Sequence, residues 1–396
     1  MPHDLHARFR GALYGGAIGD GIGAPVEGLR RTQILDLVGP VRGFIAPTEQ
    51  IDGQPTLRPG RPDGKGDGRI TDDTLMVEAL IAAYIEHGDH LDALAYRDVF
   101  APILGRQAVW LPERQCDMVV LDRLASAEQW HIRSLLNTHR DARFFGSSLH
   151  NITCGAAMCA WPIGAVNAGD PRGAYDEAVA FFAAQTFSFG LEQAAVMAAA
   201  IAEAIAPDAT PRRVVDVALS VACDATGSMI HEAVEALEVG AGRDRDLPAV
   251  HAAVQRWHHK RTHVPDTNEH MDAAEQRSAP SNRGMESRLH TSEEMPVALA
   301  MLLRADGAFE ETVCAAAEYG EDADSIAGMA GSLAGALHGV DAIPSHWREY
   351  ADKQNRRDYA QLADGFTDLA RRIAGQDQQR HQRRWACLRA GRSPAD

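Results

Sequence analysis

Glycine recurs at every fourth residue near the N-terminus, at Gly11, Gly15 and Gly19 of GALYGGAIGDGIGAPVEG. It returns at intervals of three or four in a late segment, at Gly328, Gly331, Gly335 and Gly339. In a helix, residues three and four apart share a face. A glycine inside a helix costs about 0.5–1 kcal/mol relative to alanine, so the stripe needs a packing reason. The reason expected is close backbone approach between helices, these two glycine-bearing segments with each other. Reading Gly19-Asp20-Gly21-Ile22-Gly23 as a phosphate loop is disfavoured. It follows a helical segment where a dinucleotide fingerprint needs a strand, and it lacks a Walker lysine.

Helical periodicity extends over most of the chain. Segments 191–206, 212–225, 228–239, 293–304, 308–318, 325–338 and 345–374 carry apolar residues at i, i+3, i+4 spacing, and convincing strand alternation is absent. Pro211 sits at a first helical position with Thr210 as its cap, and Gly240 is placed as a helix stop. Short helices are expected around 117–127 and 130–138. The expectation is an all-α chain: a single domain over 1–375, with long loops at 40–70 and 258–290 and a polar, basic tail over 376–396. Loops of that length inside a compact domain are commonly functional lids or disordered.

The 396 residues suffice for a sizeable core, and 45% apolar with 24% charged residues is a soluble globular profile. A formal charge of −16 argues against nucleic acid as a partner. No apolar stretch reaches the roughly 20 residues that span a bilayer, and MPHDLHARFR does not read as a signal peptide. Six scattered cysteines without a CxxC pair fit free thiols in a reducing cytoplasm rather than a disulfide or zinc framework.

Two acidic clusters each open a helical run: Thr71-Asp72-Asp73-Thr74, and Asp322-Ala323-Asp324-Ser325 about 250 residues later. Each supplies two carboxylates and a hydroxyl, hard oxygen donors suited to Mg²⁺ or Mn²⁺. The plain alternative is a pair of N-caps with acids in the first turn. Two matched clusters favour the metal reading, because a dinuclear site draws carboxylates from separate segments.

Taken together, GALYGGAIGDGIGAPVEG at 11–28, ITDDT at 70–74, CGAAMCAWPIG at 154–164 and YGEDADSIAGMAGSLAGALHG at 319–339 resemble the ADP-ribosylglycohydrolase family, which includes dinitrogenase reductase-activating glycohydrolases. The resemblance covers roughly residues 8–345. It implies an orthogonal helical bundle around a central cleft holding two Mg²⁺ (or Mn²⁺) ions, and hydrolysis of an N- or O-glycosidic bond to the ribose of ADP-ribose. Carried over by position, Thr71, Asp72, Asp73, Asp322, Asp324 and Ser325 match the metal-ligand motifs, with Ser325 where the family often has threonine. Glu27 matches the glutamate that faces and gates the metal centre in some members, and Asp20 matches a residue that orders its turn. Gly155, Ala156, Met158 and Phe187 are the substrate-binding candidates, and Asp73 and Glu27 the candidates for proton transfer.

The chain departs from the family at Cys154 and Cys159, where the central motif often carries asparagine and arginine, and at 185–190, where many members have a histidine. The two cysteines are expected to be structural or pocket-lining. Arginine suits bidentate phosphate contact, so its loss bears on the substrate. The substrate expected is an ADP-ribosylated protein or small ribosylated molecule. A small N-riboside or phosphoriboside of secondary metabolism is the alternative. A catalytically silent, crystallin-like scaffold is a third reading, and the complete ligand set argues against it.

Overall fold

The computed structural model describes residues 4–51, 54–57, 64–106, 108–124, 126–138, 141–146, 153–239, 242–261 and 293–389. Most of the 258–290 loop, Gly240 and residues 390–396 therefore lie outside the described residues. Helices of eight residues or more run over α1 Leu5–Gly23, α2 Arg31–Val38, α3 Asp72–His87, α4 Ser126–Thr138, α5 Pro171–Phe182, α6 Ser188–Ala204, α7 Pro211–Val221 and α8 Asp224–Val239. They continue with α9 Arg243–Arg261, α10 Glu294–Arg304, α11 Phe309–Tyr319, α12 Ala323–His338, α13 Ser345–Asn355 and α14 Tyr359–Arg389. The all-α expectation holds, with two small antiparallel hairpins added: β1 Thr48–Ile51 with β2 Gln54–Leu57, and β3 Ala108–Leu111 with β4 Cys116–Val119. The helix expected around 117–127 begins instead as β4, and only Val120–Arg123 is helical before α4.

α12 is buried from Ala323 through Leu337, and α6 from Gln193 through Ala204. Helices apolar all round belong at the centre of a bundle. α1 lies antiparallel against α12 at backbone distance. A Cβ on Gly11 would sit 2.1 Å from the Gly335 carbonyl oxygen, and one on Gly15 equally close to that of Gly331. On Gly19 it would meet the Ala327 oxygen at 2.0 Å, and on Gly23 the Ala323 oxygen at 2.2 Å. The stripe therefore seats the C-terminal end of α1 beside the N-terminal end of α12, where the second acidic cluster lies. Gly339 serves differently, closing α12 with a φ of 79°.

Phe366 of α14 is an aromatic hub, with ring centroids 5.6 Å from Phe9, 5.7 Å from Tyr84 and 5.9 Å from Trp161. The apolar run at 345–374 is broken into α13 and α14 by Arg356, which takes a φ of 53°. α14 continues through Arg389, its last turns largely exposed, so the basic segment from 376 to 389 is helical.

His90 joins three parts of the bundle. Its ring nitrogens meet Glu177 of α5 at 2.5 Å and Asp377 of α14 at 3.0 Å, while Glu177 also accepts from Tyr84 Oη, Leu91 N and Asn167 Nδ2. The Glu177 hydrogen bond, helped by Asp377 and opposed by burial, raises the His90 pKa to about 9. A folded-state pKa above the ordinary value stabilises fully below about pH 6.5 and loses that contribution as pH rises through about 9. The stability gap between wild type and His90→Gln is expected to shrink by about 2–3 kcal/mol between about pH 6 and pH 10 in urea titrations. A gap independent of pH would remove this role.

Candidate metal centre

Thr71 begins α3 with extended backbone and accepts from the Asp73 amide, as an N-cap does. The rest of the helix start is satisfied from far away. Asp20, fully buried at the end of α1, accepts from the Thr71 amide at 3.0 and 3.1 Å, from the Thr74 amide at 3.2 Å and from Thr74 Oγ1 at 2.6 Å. Burial pushes its pKa up to about 6, against the pull of those hydrogen bonds. Asp20 thus positions the first cluster from across the bundle, where the resemblance implied only the ordering of its own turn. Asp73 is thereby released from capping. Its Oδ2 accepts from Thr71 Oγ1 at 3.1 Å, while its buried Oδ1 has no hydrogen-bond partner among the described residues.

At the start of α12, Asp322 occupies the N-cap position without a side-chain capping bond. Its Oδ2 instead accepts from Cys154 Sγ at 3.2 Å. Carboxylate oxygens of Asp322, Asp324 and Glu27 lie within 4.8 Å of one another, and so do donor atoms of Cys154, Glu294 and Asp322. The Glu27 side chain is 23% exposed, so it is not a solvated loop acid. Asp72 is half-buried and faces Arg123 at 3.0 Å. Ser325 Oγ lies 3.5 Å from Cys154 Sγ and 4.0 Å from Met158 Sδ.

The charges are poorly balanced. Burial raises the Asp73 carboxyl well above its ordinary range, and the neighbouring Asp324, Asp20, Asp72 and Asp322 raise it further. Asp324 is raised by burial and by Glu27, and the Lys65 ammonium opposes this without overcoming it. Like charges packed in a low dielectric repel unless a cation joins them. The Asp73 Oδ1 that has no partner among the described residues and the converging carboxylate oxygens of Asp322, Asp324 and Glu27 are hard donors that fit Mg²⁺ or Mn²⁺, with the Cys154 sulfur at the edge of the cluster.

The central motif supplies the adjoining wall. Gly155 and Ala156 form a buried turn at Cys154–Ala156, and a Cβ on Gly155 would lie 2.6 Å from Glu128 Oε1. Met158 borders a small void together with Asp73, Thr74 and Ser332. Phe187 precedes α6 and is 40% exposed, and no described contact joins it to the acidic side chains. Cys154, where the family often has asparagine, donates S–H toward Asp322, and burial beside that carboxylate raises its pKa well above the usual thiol value. Cys159 is fully buried, with its Sγ 3.5 Å from the carbonyl oxygens of Gly155 and Ala156.

Sequence reasoning missed Lys65, whose Nζ pairs with Glu27 and lies 3.0 Å from Asp324 Oδ2. The signal was faint: it is one of three lysines in the chain, inside the Gly-rich DGKGDG stretch of the 40–70 loop. Glu294, one residue into α10, was also not anticipated.

A sequence profile of the ADP-ribosylglycohydrolase family matches residues 1–382. The ADP-ribosyl-[dinitrogen reductase] glycohydrolase of Rhodospirillum rubrum is 25% identical over 366 residues, covering 92% of this chain and 97% of that protein. A solved structure described as an ADP-ribosylglycohydrolase-related protein complex superposes with a TM-score of 0.55 at 19% identity, over 92% of this chain and 99% of the other. The superposition agrees with the all-α fold, and the profile spans both acidic clusters and the central motif. The chain belongs to the ADP-ribosylglycohydrolase family and is a hydrolase.

Proposed function

We propose that this protein is a divalent-metal-dependent glycosidase that hydrolyses the C1 bond of a ribosyl group, with nitrogen-linked ADP-ribose as its substrate class. The observation that carries the reading is the convergence of buried Asp322 and Asp324 with Glu27, beside a buried Asp73 whose carboxyl is raised by burial and by the neighbouring Asp324 and Asp322. Held by these carboxylates, Mg²⁺ or Mn²⁺ would supply anchorage of the vicinal ribose hydroxyls and acidification of a water. Cleavage at C1 passes through an oxocarbenium-like state and needs a proton acceptor beside the attacking water. We assign that work to Asp73, whose Oδ1 has no partner among the described residues, and to Glu27, whose side chain is partly exposed.

The R. rubrum relative is named for an ADP-ribosylated protein, and we assign the same class here, with Gly155, Ala156 and Met158 forming the wall nearest the metal residues. A second reading, a small N-riboside or phosphoriboside, is favoured by Cys159, which leaves no guanidinium at that position. Among the described residues no helix is long and apolar enough to cross a membrane, and Cys116, Cys154, Cys159, Cys314 and Cys387 are free thiols. Free thiols suit a reducing cytoplasm. Incubation with Mg²⁺ and a panel of ADP-ribosylated proteins, ADP-ribosyl guanidines and simple ribosides separates the readings. Metal-dependent release of ADP-ribose supports the first, and release of ribose or ribose phosphate alone supports the second. No turnover of any substrate by folded, metal-loaded protein contradicts both and favours the silent scaffold.

A further inference from the structure

We infer that Lys65 is a tethered counter-ion that holds the metal-free centre together and must leave Asp324 and Glu27 for a divalent cation to take their oxygens. The inference rests on the metal-site reading above. Lys65 Nζ pairs with Glu27 and stands 3.0 Å from Asp324 Oδ2, between two of the three carboxylates that converge within 4.8 Å. Asp72 also acts on its charge. An ammonium and a divalent cation compete for those oxygens, because each would stand within a few ångströms of a like charge.

The placement is built into the fold. The turn carrying Lys65 is closed on itself and tied to the bundle just after the lysine. Asp67 N donates to Ile45 O at 2.8 Å, and Arg69 Nη1 donates to Gly64 O at 2.7 Å. Buried Asn355 donates to Gly68 O and accepts from Ile70 N, both at 3.0 Å. Gly21 of α1 meets the Gly68 backbone so closely that a Cβ there would lie 2.8 Å from the Gly68 oxygen. With the base fixed, the four-carbon stem delivers the ammonium into the centre and can withdraw it by rotamer change, because the side chain keeps 27% of its surface exposed.

A tethered cation lowers the affinity for a free one by competition. It also stabilises the empty state by neutralising carboxylates that would otherwise repel. Mn²⁺ binding to the full-length protein, followed by calorimetry, and thermal melts without metal test this in wild type, Lys65→Met and Lys65→Arg. Lys65→Met is expected to bind Mn²⁺ about tenfold more tightly and to melt earlier without metal, while Lys65→Arg stays within about twofold of wild type. Unchanged or weaker Mn²⁺ binding by Lys65→Met, with the variant folded, overturns the inference. Binding by Lys65→Met and not by wild type supports it. Absence of binding in all three proteins removes the metal-site reading itself, and this inference with it.

Discussion

Gly15→Ala is expected to cost about 3 kcal/mol or more, the upper end for overpacking a tight interface. The added methyl would lie 2.1 Å from the Gly331 carbonyl oxygen, 2.7 Å from its carbonyl carbon and 3.2 Å from the Phe309 ring. Two of those three contacts are backbone, so no side-chain rotation relieves them, and α1 and α12 must part. Gly331→Ala meets the same obstacle from the other side, at 2.1 Å from the Gly15 oxygen. Gly365 provides the control. It lies inside α14 with nothing within 4 Å of a built Cβ, so Gly365→Ala is expected to gain about 0.5–1 kcal/mol from helix propensity alone. Urea titrations of the three variants decide the matter. Gly15→Ala within about 0.5 kcal/mol of wild type would mean that the helices do not meet at backbone distance.

That interface was legible because glycine spacing is a local pattern with a single economical cause. The helix from Thr71 and the helix from Asp322 were legible for the same kind of reason, an acidic start followed by an apolar run. The two hairpins were not, since four-residue strands such as β3 and β4 offer too few positions for alternation to show. Arg356 was invisible as a helix break because its left-handed backbone is fixed by distant partners. Its guanidinium sits 3.4 Å over the Trp110 ring, and the adjacent Arg357 holds Glu78 at 2.8 and 3.0 Å and donates to Trp110 O. The site divides along the same line. Asp73, Asp322 and Asp324 could be read from motif and residue type. The capping of α3 by Asp20, the pairing of Asp72 with Arg123, the Cys154–Asp322 contact and the arrival of Lys65 are products of tertiary packing, and no local pattern announces them.

Asp73→Asn is expected to abolish hydrolysis, a fall of at least about a thousandfold, the scale set by removing one preorganised electrostatic group at a reacting centre. The fold should survive. Asp73 is crowded by Asp324, Asp20, Asp72 and Asp322 and holds one carboxylate oxygen without a partner among the described residues. Replacing it with a neutral isostere relieves repulsion, so metal-free stability should stay level or rise. Asp324→Asn should also abolish hydrolysis, with metal-free stability closer to unchanged, because Lys65 then loses one of its two carboxylates. In both variants the rise in melting temperature on adding Mg²⁺ should weaken, since ligand stabilisation follows RT ln(1 + [L]/Kd). If these acids served only the helix starts, the pattern would invert: a loss of about 0.5–2 kcal/mol without metal, and activity preserved. Thermal melts and turnover of the variants, with and without Mg²⁺, separate the two.

Asp73, Asp322, Asp324 and Glu27 are proposed to form one divalent-cation centre. Anomalous scattering from Mn²⁺-soaked crystals of the wild-type protein tests it most directly. Two peaks roughly 3.5–4 Å apart are expected, between the start of α3 and the start of α12, with oxygen ligands from those carboxylates and from Thr71 or Ser325. No peak at saturating Mn²⁺, or peaks only elsewhere on the molecule, would contradict it.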